Sequence, residues 1–193
     1  MTCIFYRINP LFLLIILINI SCGHLPEQIF YNDPLTAEEH NNLGVAYERE
    51  GKLDLALKEY KRSINKDKNL ITPLINIGNV YLKKKQFDQA EKYYLEALRK
   101  DQFNINAANN LGNVYLEQNK NYSDGIQFLT TALNKQEQPS VYALDTLSEL
   151  YIRTGQLADA AKILDELCIR TRDGKLHKAV VDKQKQIGNK GCH

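Results

Sequence analysis

Tryptophan is missing from this 193-residue chain, and the single methionine is the initiator. Neither charge sign is in excess: 25 Lys and Arg face 23 Asp and Glu, a net of +2. That balance excludes the basic footprint of a nucleic-acid binder and the field that would draw an acidic substrate. Cysteine is scarce, with Cys3, Cys22, Cys168 and Cys192, and the spacing fits neither a metal site nor a disulfide framework. Long apolar runs are also lacking, apart from "LFLLIILINI" at 11–20. A bilayer span needs about 20 apolar residues, and this run is half of that. What remains is ordinary for a folded domain, with 44% hydrophobic and 25% charged residues. The length allows one domain and a targeting segment.

The first residues are a different material. Arg7 is the lone charge before the apolar run, and "SCGH" follows it. A short apolar stretch behind a thin basic region reads as a secretory signal. With Ile20, Ser21 and Cys22 in place, the segment resembles a bacterial lipoprotein signal. That resemblance implies cleavage before Cys22 and acylation there, with palmitate-type chains that tether the protein to a membrane. Asn19 departs from the pattern, which usually has leucine there. An ordinary signal peptide or an uncleaved anchor is the other reading. The expected layout is signal 1–21 and lipidated Cys22 with a tether at 22–36. Lipoprotein sorting, with Gly23 and no Asp after the cysteine, implies the outer membrane of a bacterial envelope rather than the inner one.

From residue 37 the chain repeats itself. "NNLGVAY" ends at Tyr47, "INIGNVY" at Tyr81 and "NNLGNVY" at Tyr115, each 34 residues after the last. A weaker copy, "DTLSELY", ends at Tyr151. A period of this length is the signature of a helical solenoid. Leu43, Gly44 and Tyr47 share one helical face, and after Gly51 the residues Ala56, Tyr60, Ser63 and Ile64 follow at helical spacing. Gly inside a helix is unfavourable by about 1 kcal/mol against Ala, so its recurrence needs a packing reason. The expectation is that Gly44, Gly78, Gly112 and Ser148 meet the small residues Ala56, Ala90, Gly125 and Ala160, with tyrosines filling the space beside them. "TAEE" is a capping box from Thr36 to Glu39. Gly51, Asn119 and Gly155 are expected to close first helices in a left-handed conformation, with Lys85 less comfortable in the matching place.

This pattern resembles the tetratricopeptide repeat. The resemblance implies an all-α, right-handed superhelical solenoid of about four helix-turn-helix repeats, at 37–70, 71–104, 105–140 and 141–174. "KLHKAVVDKQKQI" then supplies a C-terminal capping helix within 175–193. In such an array the first helices line a concave groove. The groove positions here are Asn41, Asn42, Val45 and Glu48; Ile75, Asn76, Asn79 and Leu82; Asn106, Asn109, Asn110, Asn113 and Leu116; and Tyr142, Asp145, Glu149, Ile152 and Arg153. A ladder of amides can pair with the backbone of an extended segment, because each amide both donates and accepts. Lysines that clamp a carboxylate in chaperone-binding members are replaced here by Asn41 and Asn109, so that mode does not fit.

The function expected is a membrane-tethered scaffold that binds an extended or helical segment of another protein. The alternative is a permanent subunit of an envelope complex for outer-membrane protein or pilus assembly. No cofactor, metal, nucleic acid or small-molecule substrate is expected. The histidines His24, His40, His177 and His193 have no Ser, Cys or acid at catalytic spacing on their own helical face, so no enzyme is expected. Cys168 aligns with Ile64, Leu98 and Leu133 and is expected to be buried and reduced. A cap helix of about 18–20 Å carries the chain away from it, so Cys192 is expected to be exposed and mobile.

Overall fold

The computed structural model describes residues 33–171, 174–189 and 192. The signal segment, Cys22 and its proposed lipid lie outside the described residues. Within them the chain is all-α, with nine helices and no strand. Four pairs come first: α1 (Ala37–Arg49) with α2 (Leu53–Lys66), α3 (Thr72–Lys83) with α4 (Phe87–Lys100), α5 (Ile105–Gln118) with α6 (Tyr122–Leu133), and α7 (Val141–Arg153) with α8 (Leu157–Arg170). A single helix, α9 (Gly174–Gln186), caps the series. Each helix packs on the next in sequence, and first helices also touch across pairs, α1 with α3, α3 with α5 and α5 with α7. The solenoid thus stacks its first helices into one continuous face.

Local chemistry starts and stops these helices. At α1 the Thr36 hydroxyl accepts from Glu39 N at 3.2 Å, while the Glu39 carboxylate accepts from Thr36 N at 2.7 Å. That is the full capping box, and the bond from the Thr36 amide holds the Glu39 carboxyl below its ordinary range. Every first helix ends in the same turn. The carbonyls of Tyr47, Tyr81, Tyr115 and Tyr151 accept from the amides of Lys52, Gln86, Lys120 and Gln156, at 2.9–3.1 Å. The residue before each of these amides has positive φ: Gly51 (+74), Lys85 (+56), Asn119 (+52) and Gly155 (+76). A left-handed residue with this closing bond caps a helix without orphaned carbonyls.

Lys85 is the one turn residue of the four that has to hold a Cβ-bearing, non-amide side chain in that region. The left-handed conformation costs such a residue about 1–2 kcal/mol, less the entropy a glycine would lose there. Lys85→Gly is therefore expected to raise stability by about 0.5–1 kcal/mol, with a melting midpoint about 2 °C higher. An unchanged or lower midpoint would show that the exposed lysine side chain compensates for its backbone.

The atoms nearest to where a Cβ would stand on Gly44, Gly78 and Gly112 belong to larger side chains than the small residues expected. A Cβ on Gly44 would lie 2.5 Å from Cε1 of Tyr60, and one on Gly78 would lie 2.5 Å from Cε1 of Tyr94. The second-helix tyrosine ring lies against the first helix, and a ring can approach so closely only where no Cβ stands. Tyr60 and Tyr94 are fully buried. In the third pair the residue in that place is Leu129, and Gly112 faces Leu129, Thr146 and Leu150 instead. Gly125, the small residue of α6, faces Tyr115 and Leu150. A large side chain thus fills the space over each of these glycines, a tyrosine at Gly44 and Gly78 and mainly leucine at Gly112 and Gly125.

Cys168 and Cys192 form a disulfide, with Cα atoms 5.4 Å apart. This corrects the expectation of a buried, reduced Cys168 and a mobile Cys192. Leu164 and Leu167 fill the core at the end of α8, and Cys168 is half-buried at its edge. The far end of α9 is not carried away either: Gln184 and Asn189 both donate to Asp165 Oδ1, at 2.8 and 3.2 Å. Gly188, at φ +74, turns the chain there, so residue 192 has about one helical turn to cover from Asp165 to Cys168.

Candidate functional site

The asparagines of the repeated phrase stand on the face that the first helices build together, and most of them bond to one another. Asn76 Nδ2 donates to Asn41 Oδ1 at 3.0 Å, from α3 back to α1. Asn110 Nδ2 donates to Asn79 Oδ1 at 2.8 Å, from α5 back to α3. Thr146 Oγ1 donates to Asn113 Oδ1 at 3.3 Å, from α7 back to α5. Side-chain bonds thus cross each junction between successive pairs. Asn79 takes a second donor, since Tyr94 Oη reaches the same Oδ1 at 2.8 Å. Burial, first, pushes the Tyr94 phenol above its ordinary range, so the hydroxyl stays protonated and donates. The same cause acts on Tyr60, which donates to Glu48 Oε2 at 2.7 Å, and on Tyr115, which donates to Glu91 Oε1 at 3.3 Å.

Asn42 and Asn106 are exposed; Asn41, Asn76, Asn79, Asn109, Asn110 and Asn113 are half-buried. Oδ1 of Asn109 is buried without a hydrogen-bond partner among the described residues. Leu82, Leu116 and Ile152 are half-buried beside the stripe, and Tyr142 stands 69% exposed at the start of α7. Val45 is half-buried, whereas Ile75 is turned into the core at 9% exposure. The face is thus a row of amides flanked by leucines and one projecting aromatic ring.

Charges along this face are already paired. Lys83 Nζ lies 2.6 Å from Glu48 Oε1. Arg153 donates through Nε to Glu149 Oε1 at 2.8 Å and through Nη1 to Asn119 Oδ1 at 3.2 Å. Asp145 is met by Lys183 of α9 at 2.7 Å. The fourth pair's end of the face is therefore partly occupied by the cap helix, which sequence spacing alone did not indicate.

One buried polar pair escaped the sequence reading because it spans two helices. His40 of α1, at 0% exposure, shares a hydrogen bond of 2.8 Å with Glu59 Oε2 of α2. Glu59 also accepts from Arg62 at 2.9 Å, and Ser63 donates to the Ala37 carbonyl at 2.6 Å. The signal was available in principle: His40 and Glu59 each fall on a core-facing helical stripe. The pair is sealed from solvent and ties the two helices together. Among the described residues no group of three His, Cys, Asp or Glu side chains could hold a metal ion, and no helix is long and apolar enough to cross a membrane.

Two family models, both described as tetratricopeptide repeat, match residues 36–102 and 75–142. No curated protein matches the chain. Solved structures with the same fold include a tetratricopeptide repeat protein from Parabacteroides merdae ATCC 43184, at 25% identity and a TM-score of 0.68, covering 81% of this chain and 60% of that one. This chain thus spans less than two thirds of the Parabacteroides protein. YrrB, described as a TPR protein with an unusual peptide-binding site, aligns at 19% identity and a TM-score of 0.66, covering 80% of this chain and 79% of its own. PilW, a type IV pilus biogenesis factor, aligns at 16% identity and a TM-score of 0.69, covering 79% and 70%.

Proposed function

The chain belongs to the tetratricopeptide-repeat family, whose two models together span residues 36–142, and from that premise we propose a protein-binding scaffold tethered to a bacterial envelope. The observation that carries this reading is the amide stripe, which runs across successive first helices with leucines beside it. Amides held by one another are fixed in orientation before any partner arrives, which lowers the ordering entropy lost on binding. Their remaining hydrogen-bonding capacity suits the backbone of an extended or helical segment, and Leu82, Leu116 and Tyr142 suit its apolar side chains. Catalysis has no part in this reading. The likeness to a pilus biogenesis factor favours, as a second reading, a fixed place in an envelope assembly complex.

The stripe's double role sets how it is tested. Asn79→Ala removes an acceptor of two internal bonds and is expected to lower stability by about 1–3 kcal/mol, so loss of binding in that variant is ambiguous. Asn42 and Asn106 carry no such bond and are exposed. Photo-crosslinkers placed at Asn106 and Leu116 are expected to trap a partner from an envelope fraction, and one at Lys61 on α2 is not. Capture from Lys61 alone would move the binding surface to the second helices. Anchoring is tested separately: the mature chain is expected to begin at a diacylated Cys22 followed by Gly23. A mass spectrum with Met1 intact or Cys22 unmodified would remove the tether from the proposal.

A further inference from the structure

The last helix is held differently from α7, to which Lys183 ties it. α9 buries Val180 and Gln184 completely, whereas α7 buries four apolar side chains. Polar and covalent ties supply the rest. Lys183, whose side chain is 16% exposed, donates to Asp145 Oδ1 at 2.7 Å and to the Asp145 carbonyl at 3.3 Å, and lies 3.6 Å from Glu149 Oε2. Gln184 is bonded to Asp165, and the Cys168–Cys192 disulfide closes the loop. Glu149 has a cation of its own in Arg153; the Asp145 side chain is bonded to α9's lysine.

We propose that α9 is a stand-in for a partner helix, latched by the disulfide over a docking surface of α7 and α8, and that the open surface takes an amphipathic helix carrying a lysine or arginine. The occupant's chemistry is read from α9. An apolar residue enters at Val180, and a basic group three residues on neutralises Asp145. A helix with an acid in that place meets Asp145 and Glu149 as like charges, and a wholly apolar one leaves Asp145 unpaired in a half-buried setting. This surface does not depend on the amide stripe being a partner site.

Opening requires a dithiol reductant of the Cys-x-x-Cys class. One thiolate of the reductant attacks the Cys192 sulfur and forms a mixed disulfide, and the Cys168 thiolate leaves and takes up a proton. The second thiol of the reductant then attacks the mixed disulfide and releases Cys192 as a thiol. Two electrons and two protons pass to the protein, and the reductant ends as a disulfide. Cross-linking residues 24 apart removes chain entropy from the undocked state and so favours the docked one.

The test uses the full chain, oxidised and reduced, with a labelled peptide of the α9 sequence, Gly174 to Asn189. Amide exchange in α9 is expected to quicken at least tenfold on reduction, while α1 to α6 stay protected. The peptide is expected to bind the reduced chain, and the Cys168→Ser/Cys192→Ser chain, at least tenfold tighter than the oxidised chain. A Lys183→Glu peptide, or an Asp145→Asn chain, is expected to lose that binding. Exchange in α9 that ignores the redox state overturns the latch, as does loss of protection in α1 to α6. Peptide that binds neither state, binds both equally, or tolerates Lys183→Glu overturns the docking surface.

Discussion

Replacing Glu59 with leucine is expected to lower the stability of the array by about 1–3 kcal/mol, the range for leaving a buried polar group without its partner. His40 has 0% exposure and Glu59 has 5%, so water does not step in when the carboxylate is removed. The imidazole Nδ1 keeps its burial and loses its 2.8 Å partner. Arg62 loses a bond as well, but its side chain is 45% exposed and turns to solvent at little loss. Total stabilities of domains lie at about 5–15 kcal/mol, so the first pair is expected to melt early or take the array with it. His40→Leu combined with Glu59→Leu is expected to recover part of the loss, since the imidazole that lost the carboxylate is removed with it. Urea midpoints of the two single variants and the double variant measure this coupling. A Glu59→Leu loss below about 1 kcal/mol would show that the pair is screened and dispensable.

Gly78→Leu is expected to cost about 3 kcal/mol, the upper range for overpacking. Any Cβ there starts 2.5 Å from the Tyr94 ring, and that ring is fully buried, with its hydroxyl bonded to Asn79, so moving it disturbs the core around it. The gain of about 1 kcal/mol from a better helix former offsets little of this. Gly112 is the internal comparison. Its hypothetical Cβ meets the ends of Thr146 and Leu129 side chains at 3.0 and 3.1 Å, atoms that can yield. Gly112→Ala is therefore expected to be near neutral while Gly78→Ala is not. Tyr94→Leu, which gives the second pair the third pair's residue, is expected to rescue Gly78→Ala in part. Equal melting of the two alanine variants would remove the ring from the explanation.

What the sequence carried legibly was whatever repeats or acts locally. The 34-residue interval, the capping box at Thr36 and the left-handed residues Gly51, Asn119 and Gly155 each depend on a few neighbouring residues. So does the all-α class. Contacts set by three-dimensional placement were not legible. Gly78 reads equally well as a partner of Ala90 or of Tyr94, because both lie on the inner stripe of α4 and only the helix crossing chooses between them. The amides read as a ligand ladder, yet Asn76 with Asn41 and Asn110 with Asn79 bond across pairs some 31–35 residues apart. The disulfide was misjudged because distance along a helix stood in for distance in space. Asp165 gathers Gln184 and Asn189 together and so returns the tail to Cys168. Arg153 looked like a groove cation; it is committed to Glu149 and Asn119.

The recurring turn at the tyrosine carbonyls bears on timing. Each turn is closed by groups five residues apart, from Tyr47 to Lys52 through Tyr151 to Gln156, and each helix pair meets mainly its immediate neighbours. Contacts of such short sequence separation form in microseconds to milliseconds, whereas synthesis delivers about 5–20 residues per second. A nascent chain leaving a ribosome tunnel N-terminus first can therefore finish each hairpin before the next has emerged. The exception is the bond between Cys168 and Cys192, which has to wait until 24 further residues have followed Cys168.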